Sequence, residues 1–331
     1  MSLLSCLFNP ELAHLYGKEA SLLRNILHFI MATQQTAETK YISINGTKLA
    51  YRRLGPDAGI PLVMLIHFRG NMDFWDPSLI NPLAKVRPII LSDNAGIGKS
   101  EGEVPTTLQG WATHVVDLLN ALDIRRIDLL GFSMGGGAAQ HVALIAPHMV
   151  RKLILAGTRT SRTPNTISGP RDIFIPLALS VTEMEFKAAW SQSFFNHDTA
   201  GKAAAQASWE RIFSRTHDRA PHLSPELGKR QREAMSSFSE SHPLNPHERI
   251  RKLSMPVFVA NGDNDLLIPT ENSVELARIL PNAHLHIYPN SGHGFLFQYG
   301  ELFAKHIDLF LDGVGSVMEG GGDGKLKSNL A

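Results

Sequence analysis

The stretch RIDLLGFSMGGGAAQHVALIA (126–146) runs from an apolar segment through a glycine-rich turn into a run of small residues, with Ser133 at the turn's apex. RIDLL reads as a buried strand and MGGGAAQHVALIA as the helix that follows it. A strand that passes into a helix over one residue forces that residue into a strained backbone conformation. Gly131 and Gly135, two positions to either side, remove the side chains that would collide there. Gly131-Phe132-Ser133-Met134-Gly135 is therefore a G-x-S-x-G elbow that lifts a hydroxyl out of a sheet. The free N–H groups of the next helix point at the same place, and the Met134 amide is the natural first donor to an oxyanion. Gly136 and Gly137 are less specific, because small residues there also serve close packing of helix on sheet.

Working outward, KYISINGTKLAYRRLG (40–55) alternates apolar and polar residues around Asn45-Gly46, the dipeptide that best tolerates the positive φ of a two-residue hairpin turn. PLVMLIHF (61–68), RPIILSD (87–93), RKLILAG (151–157), MPVFVANGD (255–263) and AHLHIYPN (283–290) are short, mostly apolar runs of the kind that strands buried on both faces show. Between them, Leu108, Trp111, Ala112, Val115, Val116, Leu119 and Leu122 keep helical spacing, and Val274, Leu276, Ala277 and Leu280 do so more weakly. Strand and helix in alternation predict a parallel sheet. Asp76 before Pro77 predicts a helix start, and Thr182 with Glu185 a capping box.

From 159 to about 248 the alternation stops. A loop, TRTSRTPNTISGPRD, leads into helical segments carrying Trp190, Phe194, Phe195 and Trp209, which predicts an inserted helical cap over the carboxyl edge of the sheet. The expected organisation is an extension over 1–38, a core over 39–158 and 249–312, the cap over 159–248, and a disordered, glycine-rich tail over 313–331.

Composition narrows the function. The chain has 331 residues and is 43% hydrophobic, enough for one large α/β domain with an insertion or for two ordinary domains. Its 32 basic and 31 acidic residues are interspersed, so no basic face for nucleic acid is predicted. The first thirty residues lack a basic signal-peptide start and carry charges that interrupt any membrane span. Leu12, Leu15, Tyr16, Leu22, Leu23, Ile26, Leu27 and Ile30 instead suggest an amphipathic helix that docks on the core or forms a homodimer, while membrane-surface binding is a third reading. Met31 would also be a sensible domain start, making 1–30 a dispensable extension. The single cysteine, Cys6, excludes an intrachain disulfide and points to a reducing compartment such as the cytoplasm.

A serine hydroxyl attacks only with a base to take its proton, and that base needs an acid to fix its tautomer. PNSGHGFLFQ follows the last predicted strand and places His293 in a glycine-flanked loop; the other fourteen histidines have no comparable setting. VFVANGDNDLLIP ends a strand and offers Asp263 and Asp265. Asp265 lies further into the loop, where it could reach the histidine, whereas Asp263 could cap the turn.

In the order Ser133, Asp265, His293 these residues resemble the α/β-hydrolase superfamily, over about residues 40–311. GFSMGGG and the short cap are similar to the cofactor-free haloperoxidase-like esterases. The resemblance implies an α/β-hydrolase fold: a mostly parallel eight-stranded-type sheet flanked by helices, with an inserted helical cap. SDNAGIGKS (92–100) resembles the family's structural turn, carried by Asp93, Gly96, Gly98 and Ser100. One departure concerns the second oxyanion donor, because LIHFRGNMDFWDP (65–77) has no glycine beside His67. Alignment by Trp75 puts Phe68 at the donor position, and alignment by the histidine puts Arg69 there.

Arg69, Trp75 and Trp190 are candidate substrate contacts. Arg69 would bind a substrate carboxylate or pair with Asp73 or Asp76, and the tryptophans would line a pocket or simply pack. The resulting expectation is a serine hydrolase that cleaves a small-molecule ester or lactone through an acyl-enzyme, with no metal or organic cofactor. Carbon–carbon cleavage or lyase chemistry on the same residues, and a non-catalytic ligand-binding protein, are the alternatives.

Overall fold

Asn45 and Gly46 take φ values of 51° and 82°, and this turn closes an antiparallel hairpin of β1 (Lys40–Ile44) and β2 (Thr47–Leu54) in which Ile44 faces Thr47. The computed structural model describes residues 32–221, 224–240 and 245–313. The other strands are β3 (Leu62–Leu65), β4 (Ile89–Ser92), β5 (Ile127–Phe132), β6 (Val150–Ala156), β7 (Val257–Gly262) and β8 (Ala283–Tyr288). They form one eight-stranded sheet in the order β1-β2-β4-β3-β5-β6-β7-β8. β2 meets β4 antiparallel, and every pairing from β4 to β8 is parallel.

The helices are α1 (Pro77–Ala84), α2 (Leu108–Ala121), α3 (Met134–Ile145), α4 (Arg171–Leu179), α5 (Glu183–Phe194), α6 (Thr199–Ile212), α7 (Pro225–Ser239), α8 (Pro246–Arg249), α9 (Thr270–Ile279), α10 (Phe295–Gln298) and α11 (Gly300–Gly313). Their starts follow the expected caps. Asp76 accepts from the Ser78 amide ahead of Pro77, and Thr182 and Glu185 form a reciprocal capping box. α2 packs on α3 and α1 on α11, flanking the sheet, whose central strands β3 and β5 are buried along their whole length. Helices α4 to α8 all fall between β6 and β7, with no strand among the described residues of that interval.

Two strand readings need correction. The run 61–68 is strand only over Leu62–Leu65, because the chain then bends into the His67–Gly70 turn, closed by the Gly70 amide on the His67 carbonyl. The last strand, β8, is not buried on both faces: His284, Leu285 and His286 are exposed, since β8 is the edge of the sheet.

A buried ionic knot joins the sheet to the helical insertion. Arg52 of β2, fully buried, meets Asp73 at 2.7 Å, and Arg215, from the loop after α6, meets the same carboxylate at 3.4 Å. The Ala220 amide donates to the other oxygen of Asp73 at 2.7 Å. Arg215 also donates to the Gln34 and Gln35 carbonyls, so residues just before the hairpin are anchored on the insertion. The expectations for residues 1–31, including Cys6 and the Met31 start, and for 314–331 lie outside the described residues. Among the described residues no helix is long and apolar enough to cross a membrane.

Candidate active site

Ser133 sits between β5 and α3 with φ 56° and ψ −120°, a left-sided backbone conformation that costs a non-glycine residue about 1–3 kcal/mol. Three hydrogen bonds hold it there. Its amide donates to the Ala156 carbonyl at 2.9 Å, and its own carbonyl accepts from the Gly136 amide at 2.9 Å and from Thr158 Oγ1 at 2.8 Å. The flanking glycines are sterically required: a Cβ on Gly131 would lie 2.4 Å from the Gly135 carbonyl oxygen, and one on Gly135 would lie 2.2 Å from that of Leu65. Gly136 lies close against Thr158 just after β6, whereas Gly137 lies against Leu108 of α2, so it serves helix-on-helix packing instead of helix on sheet.

The loops after β7 and β8 bring an acid and a base to the same sheet edge. His293 Nδ1 donates to Asp265 Oδ2 at 2.6 Å, and both side chains are buried. Asp265 Oδ1 accepts from the Leu267 and Ile268 amides, each at 2.8 Å, so the carboxylate cannot swing away. A carboxylate only accepts, so Nδ1 carries a proton, and in the neutral ring Nε2 is then the acceptor. That Nε2 is buried and has no hydrogen-bond partner among the described residues. Asp263 serves the loop instead of the imidazole. Its two oxygens accept from the Asn290 and Ser291 amides at 2.9 and 3.0 Å and hold the histidine loop in place. The elbow and the histidine meet around Gly157, where a Cβ would lie 3.0 Å from the Phe132 ring and 3.2 Å from His293 Cε1. The rings of Phe132 and Phe194 each stand 4.9 Å from the His293 ring.

The loop after β3 completes the neighbourhood. His67 to Gly70 form a turn closed by the Gly70 amide on the His67 carbonyl at 3.1 Å, with Arg69 at φ 62°. The Arg69 amide donates to Gln231 Oε1 at 2.9 Å. The Phe68 amide donates to no protein acceptor among the described residues. Met134, as the first residue of α3, has its N–H at the helix's open end.

The expected pairing of Arg69 with Asp73 or Asp76 does not form, because Asp73 is held by Arg52 and Arg215, and Asp76 by Arg211 at 2.8 Å. Arg69 is instead fully buried and points into the insertion, donating to the Leu177 carbonyl and to the carbonyl and hydroxyl of Ser180. Trp75 is buried at the base of the loop, 6.5 Å from the Phe132 ring. Trp190 is buried among Phe194, Phe195, Trp209 and Phe297.

Sequence reasoning missed Gln231 and used His67 only to align the oxyanion loop. Gln231 lies on the buried stripe of α7 with Gly228, Ala234 and Phe238, and a polar residue on a stripe of that spacing was the available signal. His67 donates from Nδ1 to the Phe68 carbonyl at 2.8 Å and is ringed by Phe74, Phe132, Phe194 and Phe297. Burial, reinforced by the nearby His293, pushes its pKa down to about 3, so it is a neutral imidazole. Among the described residues no group of three or more His, Cys, Asp or Glu is gathered as metal ligands would be.

The mostly parallel sheet thus carries a strained serine at its carboxyl edge, with a buried aspartate–histidine pair and Phe194 of the insertion packed nearby. The chain belongs to the alpha/beta hydrolase fold family, whose profile matches residues 61–298. It is 30% identical over 262 residues to 2-hydroxymuconate semialdehyde hydrolase of Pseudomonas sp. (strain CF600), covering 77% of this chain and 87% of that one. It is 26% identical over 283 residues to a non-heme chloroperoxidase of Streptomyces lividans, covering 81% and 97%. Among solved structures, an alpha/beta hydrolase fold protein from Chitinophaga pinensis superposes with a TM-score of 0.77 at 34% identity, covering 85% of this chain and all of that one.

Proposed function

We propose that the protein is a serine hydrolase that cleaves a small ester or lactone through an acyl-enzyme. The observation that carries this reading is the buried 2.6 Å contact from His293 Nδ1 to Asp265, which leaves Nε2 bare at the edge where Ser133 is raised. In this reading Ser133 Oγ attacks the substrate carbonyl carbon while His293 Nε2 takes the hydroxyl proton, and Asp265 stabilises the imidazolium. The oxyanion is held by the Met134 and Phe68 amides. Phe68 is preferred to Arg69 because the Arg69 amide is already bonded to Gln231. His293 then gives its proton to the departing alcohol, and a water deprotonated by the same nitrogen releases the acid and restores Ser133.

The helical insertion over 159–248 acts as the cap over this edge. The rings of Phe132 and Phe194 against His293, and that of Phe68 against Phe174 at 5.5 Å, suit an apolar acyl group. Arg69 is held by insertion carbonyls, so it is not the group that would take a substrate carboxylate. Carbon–carbon bond hydrolysis is the second reading, favoured by the relative named as a 2-hydroxymuconate semialdehyde hydrolase. Steady-state and stopped-flow assays with p-nitrophenyl butyrate, γ-lactones and 2-hydroxymuconate semialdehyde separate the two. The proposal expects ester or lactone turnover with a burst of about one p-nitrophenol per chain. Turnover of the semialdehyde alone would overturn it in favour of the second reading.

A further inference from the structure

Arg69 occupies a position that its own turn disfavours. Its φ of 62° is the left-handed region that suits glycine, yet the residue is an arginine and is completely buried. Four helical-insertion residues among the described ones hold it: Leu177, Ser180, Phe186 and Gln231. The amide donates to Gln231 Oε1 of α7 at 2.9 Å, across 162 residues of chain. The guanidinium Nη1 donates to the Leu177 carbonyl at 3.0 Å, the Ser180 carbonyl at 2.8 Å and Ser180 Oγ at 2.7 Å, at the carbonyl-rich end of α4. A cation there also faces the negative end of the helix dipole. The guanidinium lies 5.3 Å from the centre of the Phe186 ring of α5, and its stem packs on Gly228, where a Cβ would lie 3.5 Å from Arg69 Cδ. Three helices of the insertion thus converge on one residue of the core.

That residue follows Phe68 directly, and the peptide unit between them sits inside the His67–Gly70 turn. The Phe68 N–H, the donor left open, belongs to the preceding His67–Phe68 peptide, whose carbonyl accepts the Gly70 amide that closes the turn; the bond from the Arg69 amide to Gln231 fixes the next peptide of the same turn. We propose that Arg69 and Gln231 are positioning residues: together they latch the insertion to the oxyanion loop, so that the Phe68 amide is aimed correctly only when α4 and α7 are seated. This rests on the serine-hydrolase reading. It assigns a role to a polar residue, Gln231, that is fully buried in the insertion and whose Oε1 accepts from the Arg69 amide.

The latch is tested with Gln231→Ala and Gln231→Glu in the full chain, measured alongside wild type for fluorophosphonate labelling, ester kcat and KM, and thermal midpoint. Misplacing an oxyanion donor by about 1 Å costs on the order of a hundredfold in rate. The expected result is a fall in kcat of about tenfold to a hundredfold in Gln231→Ala, with KM within about threefold of wild type. Gln231→Glu keeps an acceptor for the Arg69 amide and should recover most of the kcat. A Gln231→Ala variant with wild-type kcat overturns the latch and leaves the serine-hydrolase reading intact. So does an equal kcat loss in both variants that tracks the thermal midpoint, because that marks simple destabilisation. A folded wild type that neither labels nor turns over esters overturns the reading itself, and the latch with it.

Discussion

His141 gives a stability prediction that can be worked through from its surroundings. It lies on α3 two turns beyond Ser133, is 2% exposed, and stands edge-on to Phe238 at 5.9 Å. Its Nδ1 is buried with no hydrogen-bond partner among the described residues. Burial, with the positive charge of Arg249 adding to it, pushes its pKa from 6.5 down to about 4. Above 6.5 neither the folded nor the unfolded chain protonates this ring, and it leaves stability unchanged. As pH falls below 6.5 the unfolded chain binds a proton that the folded chain refuses, so stability is lost progressively until the folded pKa is reached. At pH 5 the loss is about 1.4 kcal/mol per pH unit over about 1.5 units, or roughly 2 kcal/mol. Any folded pKa well below 5 gives the same figure, so the result does not hinge on how deep the depression goes.

The whole-protein pH curve is not diagnostic, because other groups act in the opposite sense. Burial pushes the Asp93 carboxyl up to about 7, so the folded chain takes up a proton that the unfolded chain does not, and stability rises as pH falls through 7. The comparison must therefore be between wild type and His141→Leu, in which such terms cancel. Urea unfolding at pH 7.5 and pH 5, with equal m-values required, reads the difference. Wild type should lose about 2 kcal/mol more than His141→Leu between the two pH values. Equal losses would mean that the folded protein protonates His141 readily, and the argument from burial would be wrong.

The two aspartates of the GDND turn should separate cleanly. Asp265→Asn keeps an oxygen for the Leu267 and Ile268 amides but sets an NH₂ against the His293 Nδ1–H, which forces the wrong tautomer. Ester kcat should fall by about a thousandfold or more with little change in thermal midpoint. Asp263→Asn leaves one of the Asn290 and Ser291 amides without its acceptor, which should cost about 1 kcal/mol of stability and less than about tenfold in rate. The reverse ranking of rate losses, read from kinetics on both variants, would contradict these assignments.

Most of the core was legible because local chemistry dictates it. Asn45-Gly46 requires a positive-φ turn, Asp76-Pro77 and Thr182-Glu185 mark helix starts, and the elbow glycines are explained by atoms within a few residues or on the next strand. β8 was misread because its apolar residues were weighed over the alternating His284 and His286, which are exposed at the sheet edge. The contacts of Arg69 were beyond reach for another reason. Its carbonyl partners lie 108 and 111 residues away and its amide partner 162 residues away, and a carbonyl acceptor leaves no mark in the identity of the residue that carries it. The nearer acids, Asp73 and Asp76, were the natural guess, but each is already claimed by arginines from β2 or the insertion.

The central claim is that Ser133 is a nucleophile activated by His293. Intact-mass measurement after exposure to a fluorophosphonate, on wild type, Ser133→Ala and His293→Ala, tests it most directly. The account predicts one adduct per wild-type chain, mapped to Ser133, and none on either folded variant over the same exposure. A folded wild type that stays unlabelled, or an adduct that persists in Ser133→Ala, would contradict it.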